Sequence, residues 1–345
     1  MEFRSLCPRS YECASLNRAL TGPFRANFAH QRDAICGDLA TMSNRRDLCE
    51  MRSEIFETDP WGYRNTQEVW ARKNEILLFG DSFALGQGVT QGEVPSVQLT
   101  KKIGKNVYDG AGKLELEYLH WLLDNLKTPP KTVIYFHLER HNHRLEEISG
   151  WDKTIDASNI FQKIDVFWKS FWAYDPLKII FSQFEKGFLI PSLFPNRFAE
   201  KVPVFDLQNG KTFLFLDSSV NRYGDQRADD LFREAEYFDE LRILLSEKNI
   251  KLLIVLIPEK YSVYAPLVKN PKNYPLKNSH YLMSLQGELI RRRMQVINLL
   301  PDFIKESQSR HKQGQYIYWP DDTHWNTQGI ELATSKIAKH LTTSL

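Results

Sequence analysis

Three continuous apolar runs, EILLF (75–79), TVIYFHL (132–138) and LLIVLI (252–257), punctuate the chain from Glu75 onward, each about one strand long. A run with no polar alternation reads as a strand buried on both faces, the condition met inside a parallel sheet covered by helices. NVY (106–108) and QVINL (295–299) are shorter candidates for the same sheet. Between the runs the period changes. GKLELEYLHWLLDNLK (112–127) spaces Leu114, Tyr118, Trp121, Leu122 and Leu126 as a helix does, and ADDLFREAEYFDELRILLSEK (228–248) does the same with Leu231, Ala235, Phe238, Leu241 and Leu245. This alternation predicts an α/β fold, a doubly wound and mainly parallel sheet with flanking helices.

Two stretches depart from the rhythm. Residues 150–226 are rich in Phe and Trp and end in VPVFDLQNGKTFLFLD, where Asn209-Gly210 separates two apolar or alternating runs. Asn-Gly in that setting is a strong hairpin signal, so this region is expected to be an aromatic-rich insertion carrying a hairpin. Residues 1–54 show little periodicity and hold all four cysteines, Cys7, Cys13, Cys36 and Cys49, in spacings that fit no zinc pattern. They are expected to form a loosely ordered N-terminal arm with free or disulfide-paired thiols, ahead of one domain over 55–345.

Composition narrows the classes. A 345-residue chain that is 42% hydrophobic can bury a large core, which excludes a disordered protein. With 45 Lys plus Arg against 43 Asp plus Glu there is no field of one sign to draw nucleic acid or an acidic membrane. Arg291-Arg292-Arg293 reads as a solvated helix face rather than a phosphate patch. No stretch reaches the roughly 18 apolar residues of a spanning helix, and the first residues lack the apolar core of a signal peptide. The expectation is a soluble chain, cytoplasmic by default.

The chemistry is expected where the first long strand ends. ILLFGDSFALGQGV (76–89) breaks from an apolar run into Gly80-Asp81-Ser82, placing a hydroxyl at the C-terminal edge of the sheet, where α/β proteins bind ligands. A serine becomes a nucleophile only when a base takes its proton and a third group orients that base. WPDDTHWNTQGIELATSKIAKHL (319–341) supplies candidates: Asp321, Asp322 and His324, just before a helix expected over 327–341. Taken singly, Ser82 and Asp322 also suit helix caps. HLERHNH (137–143) holds His137, His141 and His143. Continued strand alternation would set His137 and His141 about 13 Å apart on one face, so no metal site is expected there.

Gly80-Asp81-Ser82-Phe83 and Asp321-Asp322-Thr323-His324-Trp325-Asn326 together resemble the first and last blocks of the SGNH, or GDSL, hydrolase superfamily, in the same chain order. DPWGYRN (59–65) resembles the turn before the first strand in exported members. LLIVLIPEKYSVY (252–264) and the DTHW sequence are similar to the branch of alginate O-acetyltransferase-like proteins, whose Asp-His, unlike here, precedes the serine. The resemblance covers roughly residues 55–345 and implies a flavodoxin-like three-layer fold.

It further implies a Ser82–His324–Asp322 triad, with Asp321 as the alternative acid. It implies an oxyanion hole of the Ser82 amide, Gly110 (or Gly112) and Asn142, with Arg140 as the alternative to Asn142. The expected activity is hydrolysis or transfer of a small acyl ester, an acetyl group on a carbohydrate or similar molecule, with no cofactor and no metal. The alternatives are a polysaccharide O-acetyltransferase and a catalytically silent carbohydrate-binding module. Family members near this branch are often exported or membrane-tethered, and protein partners are unknown.

Overall fold

The three long apolar runs lie side by side in one sheet. In a computed structural model of the chain, describing residues 10–15, 18–141, 143, 145–153, 155, 202–221, 228–269 and 280–343, strands were located throughout. They are β1 (Ala29–Ile35), β2 (Arg52–Glu57), β3 (Ile76–Gly80), β4 (Val107–Asp109), β5 (Thr132–Leu138), β6 (Val204–Asp206), β7 (Thr212–Leu214), β8 (Lys251–Ile257) and β9 (Gln295–Asn298). The central sheet has five parallel strands in the order β4-β3-β5-β8-β9.

The lack of polar alternation in these strands has its cause in the two helical layers. Along β5, Tyr135 and His137 face Phe238 of the helix Ala228–Glu247, whereas Phe136 meets Trp325 on the other side. Helices Pro95–Ile103 and Thr327–Thr343 pack together, as do Ala228–Glu247 and His280–Arg291. Leu77, Leu78, Ile134, Leu253 and Ile254 are fully buried between the layers. Each such side chain contributes about 1.5–3 kcal/mol.

The helix expected over 112–127 is shorter, Leu116–Asn125, and buries Leu116, Leu119, Leu122 and Leu123; of the expected stripe, Leu122 and Leu126 are buried and Leu114, Tyr118 and Trp121 only partly so. The Asn209-Gly210 hairpin is present: β6 and β7 pair antiparallel, with Gly210 at φ +85° in the left-handed region that turn needs. The aromatic stretch 161–184 of the expected insertion lies outside the described residues.

The N-terminal arm differs from the expectation. From Arg18 to Glu54 the chain packs on the domain: Phe24, Phe28, Ile35 and Leu39 are buried, β1 pairs antiparallel with β2, and Cys36 and Cys49 form a disulfide. The elements here are too short for periodicity to show. What holds them is a few aromatic anchors and backbone hydrogen bonds to side chains far along the chain. Cys7 lies outside the described residues.

Candidate active site

Sheet order places the site. From β3 the chain crosses to β4 on one side and then to β5 on the other, so the C-terminal end of β3 is a topological switch point, the position at which open α/β sheets bind their ligands. Gly80 ends the strand at φ +151°, with Ala84 Cβ and the Phe136 carbonyl each 2.9 Å from where a Cβ would sit, so no larger residue fits. Asp81 Oδ1 then accepts the Phe83 N–H at 2.9 Å, closing a tight turn that leaves Ser82 half-buried at the edge.

His324 arrives from the loop before the last helix. Its Nε2 lies 2.8 Å from Ser82 Oγ, and its Nδ1 lies 2.7 Å from Asp322 Oδ1. With Nδ1–H donated to the carboxylate, Nε2 is left to accept from the hydroxyl. Phe83 packs on the imidazole at 4.9 Å between centroids and on Trp325 at 5.4 Å, fixing the ring plane. Of the two candidate acids, Asp322 makes the contact. Asp321 instead accepts from the Gly37 and Glu50 amides at 2.8 and 2.9 Å and pairs with Arg52 at 3.1 Å.

A buried shell supports the acid. Arg52 Nη2 donates to Asp322 Oδ2 at 2.6 Å, its Nε donates to the Gly88 carbonyl at 3.1 Å, and its guanidinium lies 4.4 Å from the Trp319 ring. The Asp38 amide donates to Asp322 Oδ2 at 3.2 Å, while Asp38 Oδ1 accepts from Thr323 N at 2.7 Å. Beneath the loop, Lys260 Nζ donates to the carbonyls of Trp319, Pro320 and Asp322 at 2.8, 3.0 and 2.8 Å. Burial lowers the Lys260 pKa to about 7, against the opposing pull of Asp321, Asp322 and Asp38. Arg64, fully buried, donates to the carbonyls of Leu85, Gly86 and Val89 and so shapes the loop after the serine.

Arg52, Asp38 and Lys260 were not foreseen. A lysine directly after the apolar run LLIVLIPE was the one readable signal, since a cation there needs acceptors. Nothing local marks Arg52 or Asp38.

The expected oxyanion donors fare differently. The Gly110 N–H donates to the Leu78 carbonyl at 2.8 Å and the Gly112 N–H to Gly80 at 2.9 Å, so both amides are spent extending the β3–β4 ladder. Gly110 is therefore corrected from donor to strand end. Arg140 Nη1 is held by Glu259 Oε1 at 2.5 Å. Asn142 lies outside the described residues. Strand alternation, on which the expected His137–His141 spacing rested, ends before His141: β5 stops at Leu138, the chain turns at Glu139-Arg140, and His143 returns to 5.4 Å from His137 between ring centroids.

These features are those of an SGNH-type α/β fold. Residues 209–345 match the family described as SGNH hydrolase-like domain, acetyltransferase AlgX, a span that holds Asp321, Asp322 and His324 but not Ser82. The superfamily resemblance is thus borne out over residues 209–345, the span that carries the second of the two blocks. No curated protein matches the chain. Among solved structures, it is similar to an acetyl xylan esterase, AlAXEase, at 11% identity and TM-score 0.39 over 77% of this chain and 98% of that one. It is also similar to the acetyl xylan esterase Est2A from the rumen bacterium Butyrivibrio proteoclasticus, at 8% identity and TM-score 0.32 over 86% and 68%. No helix among the described residues is long and apolar enough to cross a membrane.

Proposed function

We propose that the chain is a serine-dependent acyl-ester enzyme whose substrate is a small ester, an acetyl group on a carbohydrate. The observation that carries this reading is the hydrogen-bonded line from Asp322 through His324 to a half-buried Ser82 at the switch point of the sheet. The family matched by residues 209–345, which includes an acetyltransferase, supports the acyl chemistry.

In this reading Ser82 Oγ attacks the ester carbonyl while its proton passes to His324 Nε2. Collapse of the tetrahedral intermediate breaks the ester bond, and the imidazolium gives its proton to the leaving alkoxide. The acyl group stays on Ser82 until water or an acceptor hydroxyl, deprotonated by the same imidazole, removes it. Asp322 holds the tautomer and stabilises the imidazolium. The Ser82 amide is the oxyanion donor retained from the sequence reading, now that Gly110 is committed elsewhere.

A silent carbohydrate-binding module is the second reading, favoured by that loss of a donor. A fluorophosphonate probe separates the two. Labelling at Ser82, abolished in His324→Ala, together with acetate release from acetylated oligosaccharides, supports the enzyme. Binding of those oligosaccharides with no labelling supports the module. Product analysis with an added unacetylated oligosaccharide then distinguishes transfer from hydrolysis.

A further inference from the structure

On the face of β5 turned away from Phe136 and Trp325, three side chains from separate elements converge. They are His137 from β5, His143 from the turn after it and Glu234 from the helix Ala228–Glu247. We propose that these three residues bind one divalent cation of the zinc class.

Geometry is the first ground. One ligating atom from each residue lies within 4.8 Å of the other two, and His137 Nε2 is 3.2 Å from Glu234 Oε1. Ligands held about 2.0–2.2 Å from a tetrahedral zinc stand roughly 3.3–3.6 Å apart, so this edge is within a few tenths of an ångström of ligand spacing.

The second ground is unmet hydrogen-bonding capacity. His137 and Glu234 are both 0% exposed, yet neither ring nitrogen of His137 nor Glu234 Oε2 has a hydrogen-bond partner. Leaving a buried polar atom unpaired costs about 1–3 kcal/mol, and among the described residues no lysine or arginine pairs with Glu234. A bound cation would take up one of the two His137 ring nitrogens and the carboxylate of Glu234 together. An oxygen-seeking ion would not, because two of the three donors are imidazoles.

His143 already has the outer contacts a ligand needs. Its Nδ1 meets Glu147 Oε2 at 2.9 Å, its Nε2 meets Tyr135 Oη at 3.0 Å, and its backbone N–H donates to Glu234 Oε1 at 3.1 Å. One ring nitrogen can turn to the ion while the other stays anchored, the usual arrangement for a metal-bound histidine. A cleft of about 460 Å³, lined in part by Arg140, His141, His143 and Glu147, gives an ion a way in. The site would tie together β5, the turn after it and the helix Ala228–Glu247.

The test uses the full chain in a Cys7→Ser, Cys13→Ser background, stripped with a chelator and titrated calorimetrically with zinc chloride. One equivalent is expected. Affinity should fall at least a hundredfold in His137→Ala and in Glu234→Gln but survive in His324→Ala, which removes the other histidine-carboxylate cluster. Because those variants can fail to fold, cobalt(II) is added to the unmutated histidine set. Intense visible absorption from a tetrahedral nitrogen-oxygen site is expected, with a melting temperature that rises with free cobalt. No saturable zinc binding, binding lost with His324→Ala and kept in His137→Ala, or a weak octahedral cobalt spectrum would each overturn the proposal. None of these readouts depends on ester cleavage, so they stand apart from the proposed triad chemistry.

Discussion

Replacing Asp322 by asparagine should damage the proposed enzyme more than replacing it by alanine, and the cause lies in who donates to each oxygen. Oδ1 receives His324 Nδ1 at 2.7 Å and the His324 amide at 3.1 Å, while Oδ2 receives Arg52 Nη2 at 2.6 Å and the Asp38 amide at 3.2 Å. All four of these groups are donors, so an asparagine must turn its NH2 toward one pair. The charged Arg52 makes the stronger hydrogen bond and claims the carbonyl oxygen. The NH2 then faces Nδ1, which must give up its hydrogen, and Nε2–H points at the Ser82 hydroxyl with no lone pair to accept its proton. Such a wrong tautomer costs about 10⁴-fold in kcat, near 5.4 kcal/mol of barrier. Alanine imposes no tautomer, and Asp38 Oδ2, 3.7 Å from Nδ1, remains as a carboxylate that favours the productive one. The alanine variant should therefore keep at least ten times the activity of the asparagine variant. The assay is kcat/KM for p-nitrophenyl acetate on both variants, with melting temperatures confirming equal folding. Equal losses, or a worse alanine variant, would refute the claim that Arg52 dictates the orientation of the acid.

Three further outcomes are expected. Ser82→Ala and His324→Ala should each lower ester cleavage by more than about 10⁴-fold, and the double variant should be scarcely worse than either, because the two act as one unit; multiplicative losses would contradict the direct 2.8 Å contact. Reduction of Cys36–Cys49, or Cys36→Ser, opens a loop of sequence separation 13 and should cost about 3 kcal/mol of stability in denaturant titration. It should also cost activity, since Gly37 and Asp38 of that loop donate to Asp321 and Asp322, and unchanged activity would break the link. Burial raises the Asp109 carboxyl to about 7 from an ordinary value near 3.8. The folded state then binds a proton that the unfolded state has released, so this group's contribution is full below about pH 4 and is lost as pH rises to about 7. Asp109→Asn should flatten melting temperature against pH across that window, and an unchanged slope would count against the shift.

How much of this was legible in the sequence follows from the range of each interaction. The central strands announce themselves because burial on both faces removes polar residues from β3, β5 and β8, and two helical layers then require the helices between them. Ser82 and His324 were readable as candidates because each sits in a short block, and the two blocks together, in their chain order, carry a meaning that neither carries alone. Their support was not. Arg52 meets Asp322 across 270 positions and the Gly37 amide meets Asp321 across 284, and no local pattern encodes a partner that far away. The same limit explains the N-terminal segment, where burial comes from scattered residues such as Phe24 and Phe28 rather than a periodic face. It also explains His137 and His143. Alternation governs them only while the strand lasts, and β5 ends at Leu138, after which the turn and not the period decides where a histidine goes. A donor such as Gly110 fails for the converse reason: the glycine was visible, but whether its N–H is free depends on the Leu78 carbonyl of a neighbouring strand. Residue identity therefore marks the atoms able to react, while their orientation is set by segments distant in sequence. In this chain the segment closed by Cys36 and Cys49 holds Asp321 and Asp322 through the Gly37 and Asp38 amides, so mutations there should alter the proposed catalysis as directly as mutations in the loop that bears His324.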